Sequence, residues 1–571
     1  MTTRPLSAPR TLVGALAIIS IVSAACASDG ESERSGASAG TDQPAATAPA
    51  GDTGDGTESS GTESSGTESS GTESSGDGVC WSASPGDGDG LTFEDVTADL
   101  ELVEPLTGMY GHATAAADVD GDGWTDLFVG GFADRPDEDY RVRGASGPSP
   151  DRLLLGGPDG FRVDESFPGE RGRTSGATFA DLDTDGDLDL VVVRNPRGDD
   201  EVRQRPTIVY ERSGDTWQAA STLGEEIAGR SVAALDVDRD GLLDLAIAAD
   251  RFGPGSSRLF RNLGGLEFED ATEEWGMPDD VETLAFAVVD LDDDGWLDIV
   301  ASGDERVLLG GEEGFEVNKQ PSLEWDLLGN EDDPAGIAVG DLDADGLADL
   351  VVGQHFNSTV DDGALVPVRV YLNRTSGGDL ELVDVTEEAG SPPLWTKSPH
   401  VAIADVDNDG RPDIVTSATA ADGTPVILHN VGDGDALRFE TVGERGDGTY
   451  WVTGATDDVD HDGRIDVFMV AWEPTTASPM FANTSDAGHW LEVGVETPDA
   501  TVSISSSDDG TTIARGWSQS TTGYAAGPAP VVRFGLGDLD ADPLDVTIST
   551  PDGEREFSAT MDTHVDDARC A

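Results

Sequence analysis

The chain has 571 residues, with 114 acidic and 33 basic side chains and a net charge of −81. Repulsion on that scale works against nucleic acid and anionic lipid headgroups as direct partners. Lysine is nearly absent (Lys319 and Lys397), and the three cysteines are Cys26, Cys80 and Cys570.

Residues 1–26 have the layout of a bacterial secretory signal: Arg4 and Arg10, an apolar stretch from Leu12 to Val22, then Ser23-Ala24-Ala25-Cys26. The apolar stretch is short for a bilayer span. A Cys after small residues resembles a lipobox, with cleavage before Cys26 and acylation of its thiol. Ser23 stands where that motif usually has Leu or Val, so ordinary secretion is the alternative. Residues 27–79 are mostly Gly, Ser, Thr, Glu, Asp and Ala, with four tandem Gly-Thr-Glu-Ser-Ser units between Gly56 and Ser75. Such a composition cannot bury a core and predicts a disordered tether.

From residue 118 onward one phrase recurs seven times, Asp-x-Asp-x-Asp-Gly-x-x-Asp, each copy running into a short apolar segment. Its acids are Asp118, Asp120, Asp122 and Asp126; Asp181, Asp183, Asp185 and Asp189; Asp236, Asp238, Asp240 and Asp244; Asp290, Asp292, Asp294 and Asp298. They continue as Asp341, Asp343, Asp345 and Asp349; Asp405, Asp407, Asp409 and Asp413; Asp458, Asp460, Asp462 and Asp466. The steps are 63, 55, 54, 51, 64 and 53 residues, a near-regular period that marks a repeat architecture.

Calcium takes six to eight oxygen ligands in a flexible shell. Acids at the first, third and fifth places of a tight loop can converge on one point, with Gly in sixth place turning the chain and the ninth-place Asp closing the shell. Four carboxylates gathered without a cation repel by up to ~4 kcal/mol per pair at an effective dielectric near 20. About seven Ca2+ ions are therefore expected; they would leave a net charge of −67, so the sites account for part of the acidity only. An EF-hand is excluded. It needs a bidentate Glu in twelfth place, where this chain has Val129, Val192, Ile247, Ala301, Val352, Thr416 and Met469. Acidic Asp-Gly turns that merely solvate hairpins are the bland alternative, and seven intact copies argue against it.

Around each loop the pattern is a strand of small residues, the loop, an apolar strand, then two more, as in Leu259-Phe260-Arg261-Asn262 with Phe268-Glu269-Asp270. Four short strands per period make one propeller blade, and seven loops predict an all-β fold, a seven-bladed β-propeller with a small C-terminal β domain. Phe93-Glu94-Asp95-Val96-Thr97 has the fourth-strand pattern but precedes the first loop, so it should complete the seventh blade and leave no open edge. A linear β-solenoid is the competing architecture.

With these loops and strands the chain resembles the FG-GAP or VCBS-type repeat family, which includes the calcium-loop propellers of integrin α heads. The resemblance covers roughly residues 90–485. Downstream, His489-Trp490-Leu491-Glu492-Val493, Phe534-Gly535-Leu536-Gly537 and Pro551-Asp552-Gly553 resemble the ASPIC/UnbV domain that follows such propellers in the cartilage acidic protein family. Thr550 stands where that domain commonly has Trp. The expected division is a signal at 1–26, a tether at 27–79, a propeller at 80–486 and an ASPIC/UnbV-like domain at 487–571. With Cys26 acylated, Cys80 and Cys570 flank the folded region and are expected to pair in an oxidising compartment. The acidic stretch Asp538, Asp540 and Asp542 has Pro543 where the loop needs Gly and is not counted as a site.

No framed nucleophile, zinc-binding His pair or phosphate loop is present, and no catalytic residue is assigned. The histidines are scattered; His461, in the fourth place of the seventh loop, is expected to be solvated. The expected function is a non-catalytic, calcium-stabilised binding, adhesion or scaffold protein at the cell surface, exported and held to the membrane only by its lipid. The alternative is a calcium-dependent polysaccharide lyase or hydrolase. The partner is an unidentified protein or glycan. Inserts at 134–149 and 357–367 are expected to carry recognition. Trp395, Trp451 and Trp472 could stack on sugar but suit interblade packing equally.

Overall fold

The computed structural model describes residues 79–566 apart from 86–89, 142–144, 199–200, 225–226, 251–252, 324–332, 356–365, 433–435, 473–476, 542 and 552. The expected signal, Cys26, nearly all of the tether, Cys570 and most of the 357–367 insert lie outside the described residues. Among the described residues, no helix is long and apolar enough to cross a membrane.

The fold is all-β. Each acidic loop joins the first and second strands of an antiparallel sheet whose strands follow in sequence order. Sheet two is typical, with strands Thr174–Ala180, Asp189–Arg194, Thr207–Ser213 and Thr216–Leu223. The seventh sheet has Thr453–Asp457, Asp466–Val470 and Met480–Asn483, and takes its fourth strand from Phe93–Asp95. That pairing was expected from the sequence.

Burial explains the strand compositions. First strands such as Gly111–Ala117 are buried at every position and consist of small residues, because they crowd against the first strands of neighbouring sheets. Second strands such as Asp189–Arg194 are also buried throughout, so they are continuous apolar runs, not alternating ones. Fourth strands such as Phe268–Asp270 are mostly solvated and correspondingly polar.

The period-two alternation of each second strand sends its side chains into two different cores. Leu190 and Val192 pack toward sheet one, while Val191 and Val193 pack toward sheet three. The larger apolar cores of the repeat region lie between consecutive sheets in this way, and one of them joins residues of the seventh sheet, including Phe468 and Val470, to Leu127 and Leu154 of the first; a smaller cluster of Ala335, Val452, Tyr524 and Ala525 draws on several sheets. The first strands make neighbours in the same cyclic order, Thr453–Asp457 lying against Gly111–Ala117.

Downstream, two four-stranded sheets enclose a separate core around Leu491, Val502, Ile504, Leu544 and Val546. One of these sheets includes Val79–Ser82, which pairs with Thr563–Val565. The first residues of the 80–486 span therefore share a sheet with the C-terminal region. A segment around residues 518–527 leaves this region and runs among the first strands of the repeats. Ala526–Gly527 pairs in parallel with Thr114 and Ala115, Gly523 bridges to Ile337, and Ser520 Oγ accepts from Ala234 N at 2.7 Å. Tyr524 N donates to His400 Nδ1 at 3.3 Å. Nothing in the sequence signalled this insertion.

Candidate metal loops

All 28 predicted aspartates are described, and the seven loops share one geometry. The first-place Asp orders the turn: Asp118 accepts from the backbone N–H groups of Gly121, Asp122 and Gly123 at 2.8–3.1 Å, and Asp341 accepts from Asp345 and Gly346 at 3.0 and 2.9 Å. The fifth-place Asp caps the next turn, as in Asp122 with Trp124 N at 3.0 Å and Asp462 with Arg464 N at 2.9 Å. The ninth-place Asp is buried and accepts two backbone bonds that tie the loop to the third strand. Asp349 takes Leu342 N and Asn373 N, both at 2.8 Å; Asp466 takes Val459 N at 3.1 Å and Asn483 N at 2.8 Å.

The sixth-place glycines have φ between 84° and 92°, the left-handed region that glycine enters without steric cost. The fourth-place residues are left-handed too, and here six of the seven are not glycine: Thr184, Arg239, Asp293, Ala344, Asn408 and His461. A residue with a Cβ in that region costs on the order of 1 kcal/mol or more and persists where the surroundings over-determine it.

The third-place acids carry the strongest chemical signal. Asp120, Asp183, Asp292, Asp343 and Asp407 each hold an Oδ1 that is buried with no hydrogen-bond partner. A buried carboxylate oxygen without a donor is costly unless a cation completes it. Several groups place ligand atoms together, among them Asp118 with Asp120 and Asp122, Asp181 with Asp183 and Asp189, and Asp236 with Asp238 and Asp244. Hard oxygen donors in such number fit a hard divalent cation. Burial pushes the ninth-place carboxyls up, to about 8 for Asp126, Asp298 and Asp349 and about 7 for Asp189 and Asp244. Asp413 and Asp466 are raised likewise, by burial and by the acids beside them.

Three features escaped the sequence reading. An Asn at the end of the third strand recurs in four sheets, and its Nδ2 donates to the second-place carbonyl of the preceding loop: Asn262 to Leu182, Asn373 to Leu291 and Asn483 to Val406 at 2.7–2.8 Å, and Asn430 to Leu342 at 3.3 Å. Its signal was the repeated strand-ending Asn itself. His429 joins the sixth loop, its Nε2 3.1 Å from Asp407 Oδ2, and that contact raises its pKa. His461 is half-buried, not freely solvated. It stacks on Trp124 of the first loop and on Trp81, with ring centroids 4.0 and 4.5 Å apart, and burial lowers its pKa to about 4.

The C-terminal sheets sit over part of this loop face. Gly535 packs against Asp405, and a Cβ there would collide with its carboxylate. Arg515 reaches Asp293 at 3.2 Å and the carbonyl of Gly346 at 3.3 Å. Arg533, largely buried, lies 3.6 Å from Asp458, donates to Glu492 at 2.9 Å and to the carbonyl of Gly463. Burial alone would raise the carboxyl of Glu492, but His564 and Arg533 outweigh it and hold the group at about 2.

At the opposite ends of the same strands, the tip of the inserted segment meets a polar cluster. Arg230 Nη1 lies 3.2 Å from His112 Nε2 and 3.3 Å from the Tyr524 hydroxyl, and its Nε donates to Asp250 at 2.5 Å. Trp451 is buried against Phe481, and Trp395 donates to the Thr419 carbonyl, so both pack within the fold. Trp472 stays half-exposed at this end. The 134–149 insert contains a short helix, Asp137–Arg141, anchored by buried Tyr140 donating to the Phe132 carbonyl at 2.9 Å.

An all-β chain with repeated acidic loops between first and second strands defines a class, and the sequence comparison agrees with it. The model of the FG-GAP-like repeat matches residues 236–301, a span from the third acidic loop through the fourth. Cartilage acidic protein 1 of Homo sapiens is 26% identical over 435 residues, covering 67% of this chain and 61% of that protein. The chain is thus similar to an FG-GAP-repeat protein, as the resemblance implied, and spans less than two thirds of the length of that curated relative. Solved structures with some likeness include the exotype rhamnogalacturonan lyase YesX (TM-score 0.37, 14% identity, 66% of this chain and 72% of that one). Another is the V. cholerae biofilm matrix protein Bap1 (TM-score 0.28, 13% identity, 84% and 76%). At those scores nothing about activity transfers.

Proposed function

We propose that this is an exported, non-catalytic binding or scaffold protein, built on a seven-bladed propeller whose blades are cemented by about seven calcium ions. The observation that carries the reading is the orphaned buried carboxylate oxygen that recurs at the third place of the acidic loops. A single such atom could be incidental; a repeated one on a repeated strained turn is a ligand in waiting. The cyclic order of first-strand neighbours and the core joining the seventh sheet to the first support ring closure over an open solenoid, which would leave two terminal faces bare. The ASPIC/UnbV-like region then serves as a cap on the loop face, with its inserted segment running among the innermost strands. Export and a lipid on Cys26 rest on the sequence of the first 26 residues. The pairing of Val79–Ser82 with Thr563–Val565 brings Cys80 toward the C-terminal end of the chain and supports the expected Cys80–Cys570 disulfide.

The second reading, a polysaccharide-acting enzyme, draws on Tyr524, His112 and Arg230, a phenol, an imidazole and a guanidinium in mutual contact. Their burial counts against it, since each is 3% exposed or less. Binding of the calcium-loaded protein to arrayed glycans and cell-envelope extracts, repeated in chelator, tests the first reading. Product release from any retained glycan, lost on Tyr524→Phe, would replace it with the second.

A further inference from the structure

Resting on the binding reading, we propose that the axial mouth opposite the acidic loops binds an oligosaccharide carrying carboxylates. The floor is a set of rings. Tyr110 meets Trp472 edge-on at 5.7 Å between centroids, and Trp472 and Tyr450 both pack against the buried cluster of Ala335, Val452, Tyr524 and Ala525 at the tip of the inserted segment. Two cations lie on these rings. The Arg135 guanidinium is 5.2 Å from the Tyr110 centroid and 5.3 Å from that of Trp472, and the Lys397 ammonium is 5.4 Å from Tyr450. Tyr110, Arg135, Lys397, Tyr450 and Trp472 are all half-buried, so each keeps a face or an end in solvent. Next to Trp472, with ring centroids 5.8 Å apart, His112 is 3% exposed and leaves its Nδ1 without a hydrogen-bond partner, a buried polar atom the fold does not satisfy.

Charge complementarity selects the ligand. On a chain of net charge −81 an anion is repelled almost everywhere, yet one of only two lysines and Arg135 both lie over rings at this end. Among the described residues, Asp134 is paired with Arg173 and Arg203, and Asp250 with Arg230. Aromatic faces interleaved with cations match alternating pyranose rings and carboxylates. An acidic peptide would use the cations and leave the aromatic faces idle.

The test is quenching of tryptophan fluorescence in the calcium-loaded chain by hexasaccharides containing glucuronate, galacturonate or mannuronate, each paired with its carboxyl-reduced counterpart. At least one acidic hexamer should bind, with its reduced form at least about tenfold weaker. Trp472→Ala should weaken binding about tenfold, and Arg135→Glu combined with Lys397→Glu should abolish it, both leaving the calcium-dependent melt unchanged. No response to any acidic hexamer, equal binding of the reduced forms, binding that survives the charge reversal, or tighter binding of an oligo-aspartate peptide would each overturn the proposal. Retention of another ligand from the wider glycan and envelope screen would, in those cases, leave the general binding reading standing.

Discussion

Removing calcium is the perturbation that tests the loop argument most directly. A site of Kd ~10⁻⁴ M, ordinary for extracellular modules, contributes about 1.4 kcal/mol at 1 mM free ion. Seven such sites contribute about 10 kcal/mol. Unfolding entropy near 2.1 cal/mol/K per residue gives about 1 kcal/mol/K over the roughly 490 residues from Val79 onward, so the melting temperature should rise by about 10 °C. The calcium-free protein should also respond to pH in a defined direction. The ninth-place carboxyls titrate near 7–8 when folded (Asp126, Asp189, Asp244, Asp298, Asp349) against about 3.9 when unfolded. Between those values the folded state holds the extra protons, so stability falls as pH rises from about 4 to about 8. Calcium displaces the same protons, so its affinity should climb across that window. Scanning calorimetry in 1 mM calcium and in chelator, at pH 5 and pH 8, reads both effects. Superimposable melts with and without calcium at pH 8, or a calcium-free melt that strengthens with pH, would refute the reasoning.

Changing Asp405 and Asp409 together to Asn should lower the calcium-dependent part of the melt and raise hydrogen exchange first in the strands Val401–Ala404 and Asp413–Ala420 that flank the loop. Asn373→Leu, which strips the bond to the Leu291 carbonyl across two sheets, should cost about 1–3 kcal/mol in denaturant unfolding by leaving that buried carbonyl unpaired. Glu492→Gln should cost about 3–5 kcal/mol, because Arg533 stays largely buried with the nearer of its carboxylate partners gone and only Asp458 left at 3.6 Å. The Glu492 carboxyl is depressed to about 2, so its contribution should be constant above pH 5 and lost only on strong acidification, which a pH series of the wild-type and variant melts will show. In protein exported to an oxidising compartment, thiol labelling of the unfolded chain should find Cys80 and Cys570 unreactive until reductant is added.

The repeat, the strand order within each sheet and the location of every acidic loop were legible in the sequence, because these are local. A tight turn that gathers three acids needs Asp and Gly at fixed spacing, and a strand buried on both faces needs a continuous apolar run such as Leu190-Val191-Val192-Val193. Even the long-range pairing of Phe93–Asp95 with Met480–Asn483 was legible, since a stray copy of a repeated pattern has one vacancy to fill. Tertiary structure alone decided what lies between repeats and around their centre. Nothing local in Asn373 says that its amide reaches a carbonyl in the preceding loop, or in His461 that two tryptophans from elsewhere close over it. The same holds for Tyr524, which comes from the C-terminal region yet sits among the first strands of the repeats, against His112 and Arg230. The contacts of His461 and Tyr524 join residues hundreds of positions apart, and no periodicity encodes them. They exist because first strands of small residues pack closely around a centre that some side chain has to fill.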